Sequence, residues 1–346
     1  MIERTKGPEI ESQRVTLADL QAPVRGELDQ VQEELARFFT CDVDLINQIS
    51  SHMLRAHGKR LRPTLLLLCS KLGDSGGDGR GPEFARRAVL CATIVELVHT
   101  ATLIHDDSID RSFTRRGLPT VNSVWNDQTS VIMGDYLYSK AFFLLAENNL
   151  LEVLRSLAKA THRMSLGEMF EIEKKLDFSV GEDSYNRLIL DKTAVLMASA
   201  CDIGGFLRFG DGRERELLSD FGTSLGMAFQ IMDDLLDIEG DATRLGKSTH
   251  SDIQDGKVTL PLIQAMRNAP PEATRRIQDR LREERIDPEA AAEAARFAEE
   301  HGGIAYARQR ARGYADRAIE LLDDFPATPI RARLRDTVEY VLDRRR

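Results

Sequence analysis

The sequence is poor in cysteine and tryptophan, and it has few long apolar runs. Its four cysteines, Cys41, Cys69, Cys91 and Cys201, lie far apart without a Cys-x-x-Cys pair, which is typical of reduced core thiols rather than of disulfides or a zinc site. No apolar run approaches the roughly 18 residues that a transmembrane helix needs, and the charged N-terminus has no apolar signal segment. We therefore expect a cytoplasmic protein without a transmembrane segment.

Positive charge is scarcer than negative charge. The 346 residues include 47 Lys and Arg against 56 Asp and Glu, which gives a formal net charge of -9. Because a phosphate backbone would be repelled, this balance disfavours a nonspecific nucleic-acid partner and favours bound cations. With 42% hydrophobic and 30% charged residues and no low-complexity segment, the chain is expected to fold.

What the sequence does contain is a helical hydrophobic period along most of its length. From Leu17 to Phe38 apolar residues recur at steps of three and four, a stripe that Pro23 is expected to interrupt. No convincing alternating strand, repeat or linker is present, so residues 16–346 are predicted to form a single all-α domain and residues 1–15 a loose tail. Further helices are predicted over 43–56, 62–72, 83–106, 129–148, 150–176, 183–208, 213–238, 257–268, 271–285, 288–300, 303–324 and 329–345.

Two acidic clusters repeat one pattern, two adjacent aspartates and a third that follows the first by four residues. The clusters are Asp106, Asp107 and Asp110, and Asp233, Asp234 and Asp237. Both follow apolar helical segments, and positions i and i+4 share a helix face, so each cluster projects carboxylates toward one point. Oxygen ligands of this kind favour Mg²⁺, which phosphate oxygens typically complete. A single cluster could equally be a solvated acidic helix end, but two copies predict a magnesium and diphosphate site.

Such a site also needs basic donors, and these stand near helix ends and loops. Gly58–Pro63 precedes a helix whose first N–H groups are free to bind an anion. Arg115-Arg116-Gly117 follows the first cluster in a loop, and the remaining candidates are Lys192, Thr193, Gln230, Lys247 and Lys257. Gly246-Lys247-Ser248 is similar to the end of a P-loop, but Asp241 stands where that motif requires glycine, so a P-loop NTPase is not expected.

Together these segments resemble the trans-type isoprenyl diphosphate synthases, the polyprenyl synthetase family, and in particular its long-chain octaprenyl and heptaprenyl branch. The likeness runs from about Leu17 to the C-terminus and agrees in order and spacing. The segments that carry it are Gly58–Pro63, His99–Asp107, Arg115–Gly117, Lys192–Thr193, Phe229–Asp234 and Gly256–Pro261. Two positions depart from the family pattern, because His57 replaces a glycine and Glu171 replaces a glutamine.

The resemblance implies a homodimer of helical bundles, each with a central cavity in which both acidic clusters hold magnesium around an allylic diphosphate. It implies that this substrate is extended by successive condensation with isopentenyl diphosphate. The residues implied to contact the allylic substrate are Arg115, Lys192, Thr193, Gln230, Lys247 and Lys257, of which Lys192, Thr193 and Gln230 are assigned to catalysis. The residues implied to bind isopentenyl diphosphate are Lys59, Arg62, His99 and Arg116.

The expected product is longer than geranylgeranyl diphosphate. Ala101 and Thr102 lie about one helical turn before Asp106, and their small side chains would let a long chain grow past them. Three alternatives remain: a shorter-chain synthase, a class I terpene cyclase and a non-catalytic helical subunit. A cyclase usually has a different second metal motif, and a non-catalytic subunit should have lost aspartates, whereas all six are present.

Overall fold

The computed structural model describes residues 15–55, 58–73, 81–239, 250–282 and 286–343. Almost all of these residues are helical, which confirms the predicted all-α fold class. The helices are α1 Leu17–Gln21, α2 Arg25–Phe38, α3 Asp44–Arg55, α4 Leu61–Lys71, α5 Gly81–Ile109, α6 Val121–Val124, α7 Asp127–Glu147, α8 Leu151–Lys174, α9 Glu182–Ile189, α10 Val195–Phe209, α11 Arg213–Glu239, α12 Ser251–Gln254, α13 Leu260–Asn268, α14 Pro271–Leu281, α15 Pro288–Glu300, α16 Gly303–Leu322 and α17 Pro329–Leu342.

The N-terminal helices follow their hydrophobic stripe. In α2 the buried residues are Leu28, Val31, Leu35 and Phe38, at the spacing of one helix face. Pro23 lies in a 3₁₀ turn, Ala22–Val24, between α1 and α2. The predicted interruption is therefore present, because proline cannot donate the backbone hydrogen bond that a continuous helix requires.

The centre of the bundle is built from helices that are apolar on nearly all sides. Helix α4 packs against α10, α10 against α11, and α11 against α16, while α5 packs between α4 and α7. The side chains of residues 65–68 on α4 are fully buried, as expected for a helix surrounded by others. This arrangement places the C-terminal ends of α5 and α11, which carry the two acidic clusters, on the same cavity.

Helix α5 differs from the sequence expectation, because it has the length and apolar composition to cross a membrane, and it is the one such helix among the described residues. In the fold, 72% of its most apolar 18-residue window is buried inside the protein. Its apolar surface is therefore covered by neighbouring helices, with α4 and α7 in contact with it.

Several local features differ from the predicted helices and loops, among them the short helices α6 and α12, which lie outside every predicted helix. Strands β1, Thr114–Arg115, and β2, Leu118–Pro119, form a short antiparallel hairpin that the sequence pattern did not reveal. Its two turn residues, Arg116 and Gly117, both have positive φ, which matches the twist of a tight two-residue hairpin. The predicted helix over 183–208 is interrupted by a π-helical turn, Leu190–Ala194.

Several sequence predictions fall on residues outside the described ranges. They are the N-terminal tail up to residue 14, His57, Lys247 and the ends of three predicted helices, at residues 56, 283–285 and 344–345. The single-domain boundary at residue 16 stays a prediction.

Candidate active site

The two acidic clusters are joined by a line of polar contacts across one cavity. Lys257 Nζ lies 3.8 Å from Asp110 Oδ2 on the first cluster and 3.7 Å from Asp252 Oδ1. The backbone N–H of Asp252 in turn donates to Asp237 Oδ2 of the second cluster, at 3.0 Å. The cavity wall includes Asp110, Asp234, Lys192, Thr193, Gln230 and Lys257.

In the first cluster, the middle aspartate, Asp107, forms a salt bridge with Arg115. Arg115 Nε donates to both carboxylate oxygens of the buried Asp107, at 2.8 and 2.9 Å. The short hairpin delivers this arginine, since Arg115 lies on β1. Burial raises the pKa of Asp106 to about 7. The charge of Lys192 lowers this pKa, whereas the charges of Glu168 and Asp110 raise it further. Among the described contacts, Arg115 pairs with Asp107. The other two carboxylates of this cluster, Asp106 and Asp110, lie close together and have no arginine partner there.

In the second cluster, the middle aspartate is again bonded from within the protein. Tyr185 Oη donates to Asp234 Oδ2 at 2.5 Å, and Gln230 Nε2 donates to Asp234 Oδ1 at 2.8 Å. Burial and the charge of Asp252 raise the pKa of Asp234 well above its usual range, against these two hydrogen bonds. Asp237 accepts from the backbone N–H and the hydroxyl of Ser251, at 3.1 and 2.6 Å, at the start of α12.

Lys192 lies on the π-helical turn and is held by two glutamates of α8. Its ammonium group is 2.8 Å from Glu168 and also forms an ion pair with Glu171. Although burial opposes it, the charges of Glu171 and Glu168 raise the pKa of Lys192 above its usual range. Close helix approach makes these pairs possible, because a Cβ on Gly167 would lie 2.9 Å from the Lys192 backbone nitrogen.

A second basic group lies beyond the first cluster. Arg62 Nη1 donates to His99 Nε2 at 3.0 Å, and burial together with Arg62 and Arg116 lowers the pKa of His99 well below its usual range. Glu96, one turn before His99, is buried, and the nearby charges of Arg62, Arg116 and Arg60 partly offset the desolvation that raises its pKa. Arg116 packs on Gly58, where a Cβ would lie 2.5 Å from Nη1.

The structure thus places the predicted basic residues in two groups. Lys192, Thr193, Gln230 and Lys257 line the cavity between the clusters, and Arg62, His99 and Arg116 lie near Glu96. Lys59 is exposed just before α4, and its carbonyl accepts from Gln21 Nε2 at 2.8 Å. Ala101 is fully buried in the core and Thr102 is half-buried, and neither lines the cavity between the clusters.

Four further residues enter the site that the sequence reasoning did not select. Glu96, Glu168, Tyr185 and Asp252 contact or face predicted site residues. Glu96 could have been selected from the sequence, because an acidic residue inside an apolar helical segment is expected to need a charged or hydrogen-bonding partner. Tyr185 gave no such signal, because it lies 49 residues from Asp234 in the sequence and meets it only in the fold.

The donors suit magnesium better than a softer metal. The half-buried carboxylates at the cavity are oxygen ligands, and burial with neighbouring acidic charges raises the pKa of both Asp106 and Asp252 to about 7. Burial is the larger cause of these raised pKa values and the neighbouring carboxylates add to it, so a divalent cation bound here would stabilise the charged carboxylates. Within the described ranges no group of three or more acidic, His or Cys side chains is arranged to hold a metal ion. Magnesium usually keeps water and phosphate oxygens among its ligands, so the protein supplies only part of the set.

The chain is similar to known proteins in sequence and in fold. The polyprenyl synthetase family matches residues 43–297. Octaprenyl diphosphate synthase of Escherichia coli is 35% identical over 297 residues, which cover 85% of this chain and 88% of the relative.

Two solved structures share the fold over nearly the whole chain. A decaprenyl diphosphate synthase from Rhodobacter capsulatus superposes with a TM-score of 0.84 at 33% identity, covering 96% of this chain and 100% of that one. A polyprenyl synthase from Caulobacter crescentus, complexed with calcium and isoprenyl diphosphate, gives 0.86 at 31% identity, with 96% and 98% covered. The chain therefore belongs to the polyprenyl synthetase family, as its motifs predicted.

Proposed function

We propose that the protein is a magnesium-dependent prenyltransferase that extends an allylic diphosphate with isopentenyl diphosphate to a long-chain all-trans polyprenyl diphosphate. The observation that carries this proposal is the single cavity on which two acidic clusters, Lys192 and Lys257 converge. The relatives named as octaprenyl and decaprenyl diphosphate synthases support the long chain. The relative complexed with calcium and isoprenyl diphosphate supports a divalent cation beside a prenyl diphosphate.

Each residue group has a distinct task in this reaction. Asp106, Asp110 and Asp233 would hold magnesium, which when bound supplies positive charge that stabilises the departing diphosphate. Lys192 and Lys257 would bind the same diphosphate and lower the barrier to its departure. Arg62, Arg116 and Lys59 would hold isopentenyl diphosphate, with the neutral His99 accepting from Arg62.

The bond changes set what the cavity wall must do. The allylic carbon–oxygen bond breaks, and the diphosphate leaves with the electron pair. The double bond of isopentenyl diphosphate then attacks the allylic cation, and the released diphosphate takes up the proton whose loss from the adduct restores a double bond. Thr193 and Gln230 offer oxygen dipoles that stabilise the cation, and neither is activated by a base that would make it a nucleophile.

A direct assay tests this function against its alternatives. Protein, Mg²⁺, farnesyl diphosphate and isopentenyl diphosphate are incubated, and the products are dephosphorylated and resolved by chromatography. A ladder of polyprenols beyond twenty carbons is the expected result. A terpene cyclase would release a hydrocarbon or a short alcohol, a shorter-chain synthase would stop at twenty carbons or fewer, and a non-catalytic subunit would give no product.

Glu171→Gln is expected to lower the KM for the allylic diphosphate about three- to tenfold. The Glu171 carboxylate forms an ion pair with Lys192 and competes with the substrate for its charge. An amide keeps the shape and removes the competition. Glu173→Gln is the matched control, since Glu173 is exposed on the same helix. Steady-state kinetics with varied allylic substrate measures the effect, and an unchanged or raised KM would contradict it.

Ala101→Phe is expected to shorten the product. The proposed growth path runs past this position on α5, so a ring would act as a floor for the chain. Because Ala101 is fully buried, the larger side chain also risks overpacking, and Ala101→Leu serves as the gentler variant. Product ladders of both variants are compared by chromatography together with their melting temperatures. An unchanged ladder from a folded variant would rule out this role.

We also propose that the protein is a homodimer and acts in the cytoplasm. Large apolar side chains are exposed on α7 and α8, among them Ile132 at 60%, Phe143 at 56% and Met169 at 65%. Exposed apolar area of this kind is typical of a covered interface. Ile132→Glu is expected to shift the mass measured by sedimentation toward a monomer, whereas Leu45→Glu on α3 should not. A wild-type protein that sediments as a monomer would refute the dimer.

A further inference from the structure

A line of hydrogen bonds runs from the cavity wall into the core of the helical bundle. Thr193 Oγ1 donates to Gln230 Oε1 at 2.7 Å, and Gln230 Nε2 donates to Asp234 Oδ1 at 2.8 Å. Tyr185 Oη ends the line by donating to Asp234 Oδ2 at 2.5 Å. The tyrosine is 2% exposed and the aspartate 5% exposed, so the inner end of the line is shielded from water.

The line has a direction that its donors and acceptors fix. Gln230 turns its NH₂ group toward Asp234 and its oxygen toward Thr193, so these two contacts define one amide orientation. Thr193 has a single hydroxyl proton, which it donates to the Gln230 oxygen. The free lone pairs of Thr193 therefore remain available on the cavity side, where the proposed allylic cation forms.

Tyr185 holds the far end of this arrangement. Its hydroxyl engages one oxygen of Asp234 and so leaves the other oxygen directed at Gln230. Without that donor, the buried carboxyl group would lose a hydrogen bond with no water to replace it, and it could turn away from Gln230. Gln230 would then no longer be confined to one amide orientation.

We propose that Tyr185 is a positioning residue for ionisation of the allylic substrate, acting through Asp234 and Gln230 on the oxygen dipoles that face the cation. The proposal rests on the prenyl transfer proposed above. It assigns Asp234 to this line rather than to direct metal ligation. The groups that bind the diphosphate, Lys192 and Lys257, take no part in it.

Tyr185→Phe separates positioning from binding because it removes only the hydroxyl. Leaving a buried polar group without its hydrogen-bond partner corresponds to a rate change of about tenfold to a hundredfold when the loss is felt in the transition state. We expect kcat to fall by that factor and the KM values of both diphosphates to change less than about twofold. The matched control is Tyr306→Phe, which removes a 2.6 Å hydrogen bond from Tyr306 to Glu182 outside the site. Its kcat should match the wild type.

A binding measurement tests the same idea without turnover. The probes are an ammonium analogue of the allylic cation, given with inorganic diphosphate, and its neutral carbon isostere, and calorimetry measures the affinity of each. Wild-type protein should prefer the ammonium compound, and Tyr185→Phe should lose about tenfold or more of that preference while binding the isostere equally well. Tyr306→Phe should keep the preference.

The outcomes separate this proposal from the proposed function. Wild-type protein that makes no prenyl product refutes the function, whatever the variants do. If wild-type protein is active, an unchanged kcat in Tyr185→Phe, an equal loss in both tyrosine variants, or an intact preference for the ammonium compound overturns the role of Tyr185. A loss expressed mainly as raised KM would also overturn it, because a merely structural disturbance would weaken binding.

Discussion

Asp106→Asn is expected to reduce kcat/KM for the allylic diphosphate by at least about a thousandfold, which corresponds to about 4 kcal/mol of transition-state stabilisation. Asparagine keeps the shape and one oxygen acceptor but removes the charge that would attract magnesium. The carboxylate lies half-buried beside Glu168 and Asp110, and burial raises its pKa to about 7. A bound divalent cation would stabilise these neighbouring carboxylates. The variant removes the Asp106 carboxylate, which is one of the proposed ligands of that cation.

The matched control for this variant is Glu83→Gln. Glu83 is exposed at the start of α5, the same helix that carries Asp106 near its end. Initial rates are measured at allylic diphosphate concentrations well below KM, where they report kcat/KM, over a range of magnesium concentrations. Rates that recover at high magnesium would locate the defect in metal affinity. Activity within tenfold of the wild type at every magnesium concentration would contradict the assignment of Asp106 as a metal ligand.

Gly226→Ala is expected to lower the free energy of unfolding by about 2–3 kcal/mol and to impair turnover of the molecules that stay folded. Gly226 lies on α11 against the π-helical turn, where a Cβ would be 2.5 Å from Ala194 Cα and 2.7 Å from Ala194 Cβ. These atoms cannot move aside by a side-chain rotation, so the backbone of the turn must shift. Because that turn also carries Lys192 and Thr193, the bond from Thr193 to Gln230 should lengthen.

Gly313→Ala, on the neighbouring helix α16, is expected to change the free energy of unfolding in the opposite direction. Gly313 is exposed on α16, and a Cβ there would meet no atom within 4 Å. Alanine should therefore raise the free energy of unfolding by about 0.5–1 kcal/mol, because it restricts the unfolded chain and favours helix. Urea unfolding followed by circular dichroism measures both variants. Equal stability of the two would show that the contact at Gly226 is relaxed at little cost.

Much of this fold could be predicted because its helices carry local signals. The stripe from Leu17 to Phe38 and its break at Pro23 need no distant information. The two acidic clusters were readable for the same reason, since three aspartates within five residues form a pattern on one helix. Their family resemblance then supplied the expectation that the clusters share a cavity.

What escaped prediction depends on partners that are remote in the sequence. Asp107 and Asp234 look equivalent to their cluster neighbours, yet Arg115 bonds the first, and Tyr185 and Gln230 bond the second. The π-helical turn is likewise set by packing, because α11 approaches it too closely for a side chain at Gly226. In the hairpin, Arg116-Gly117 suits a tight turn, but each strand has only two residues. Strands this short show no alternating pattern, so the hairpin could not be predicted from the sequence.

The hairpin distributes two consecutive arginines between separate tasks. Arg115 on the strand reaches Asp107, while Arg116 in the turn packs on Gly58. An insertion or deletion of one residue would shift the register and disturb both contacts at once. Surface loops usually drift in length as proteins diverge, yet this one has no room to do so. Its length should be held as strictly across descendants of this gene as the identity of the arginines themselves.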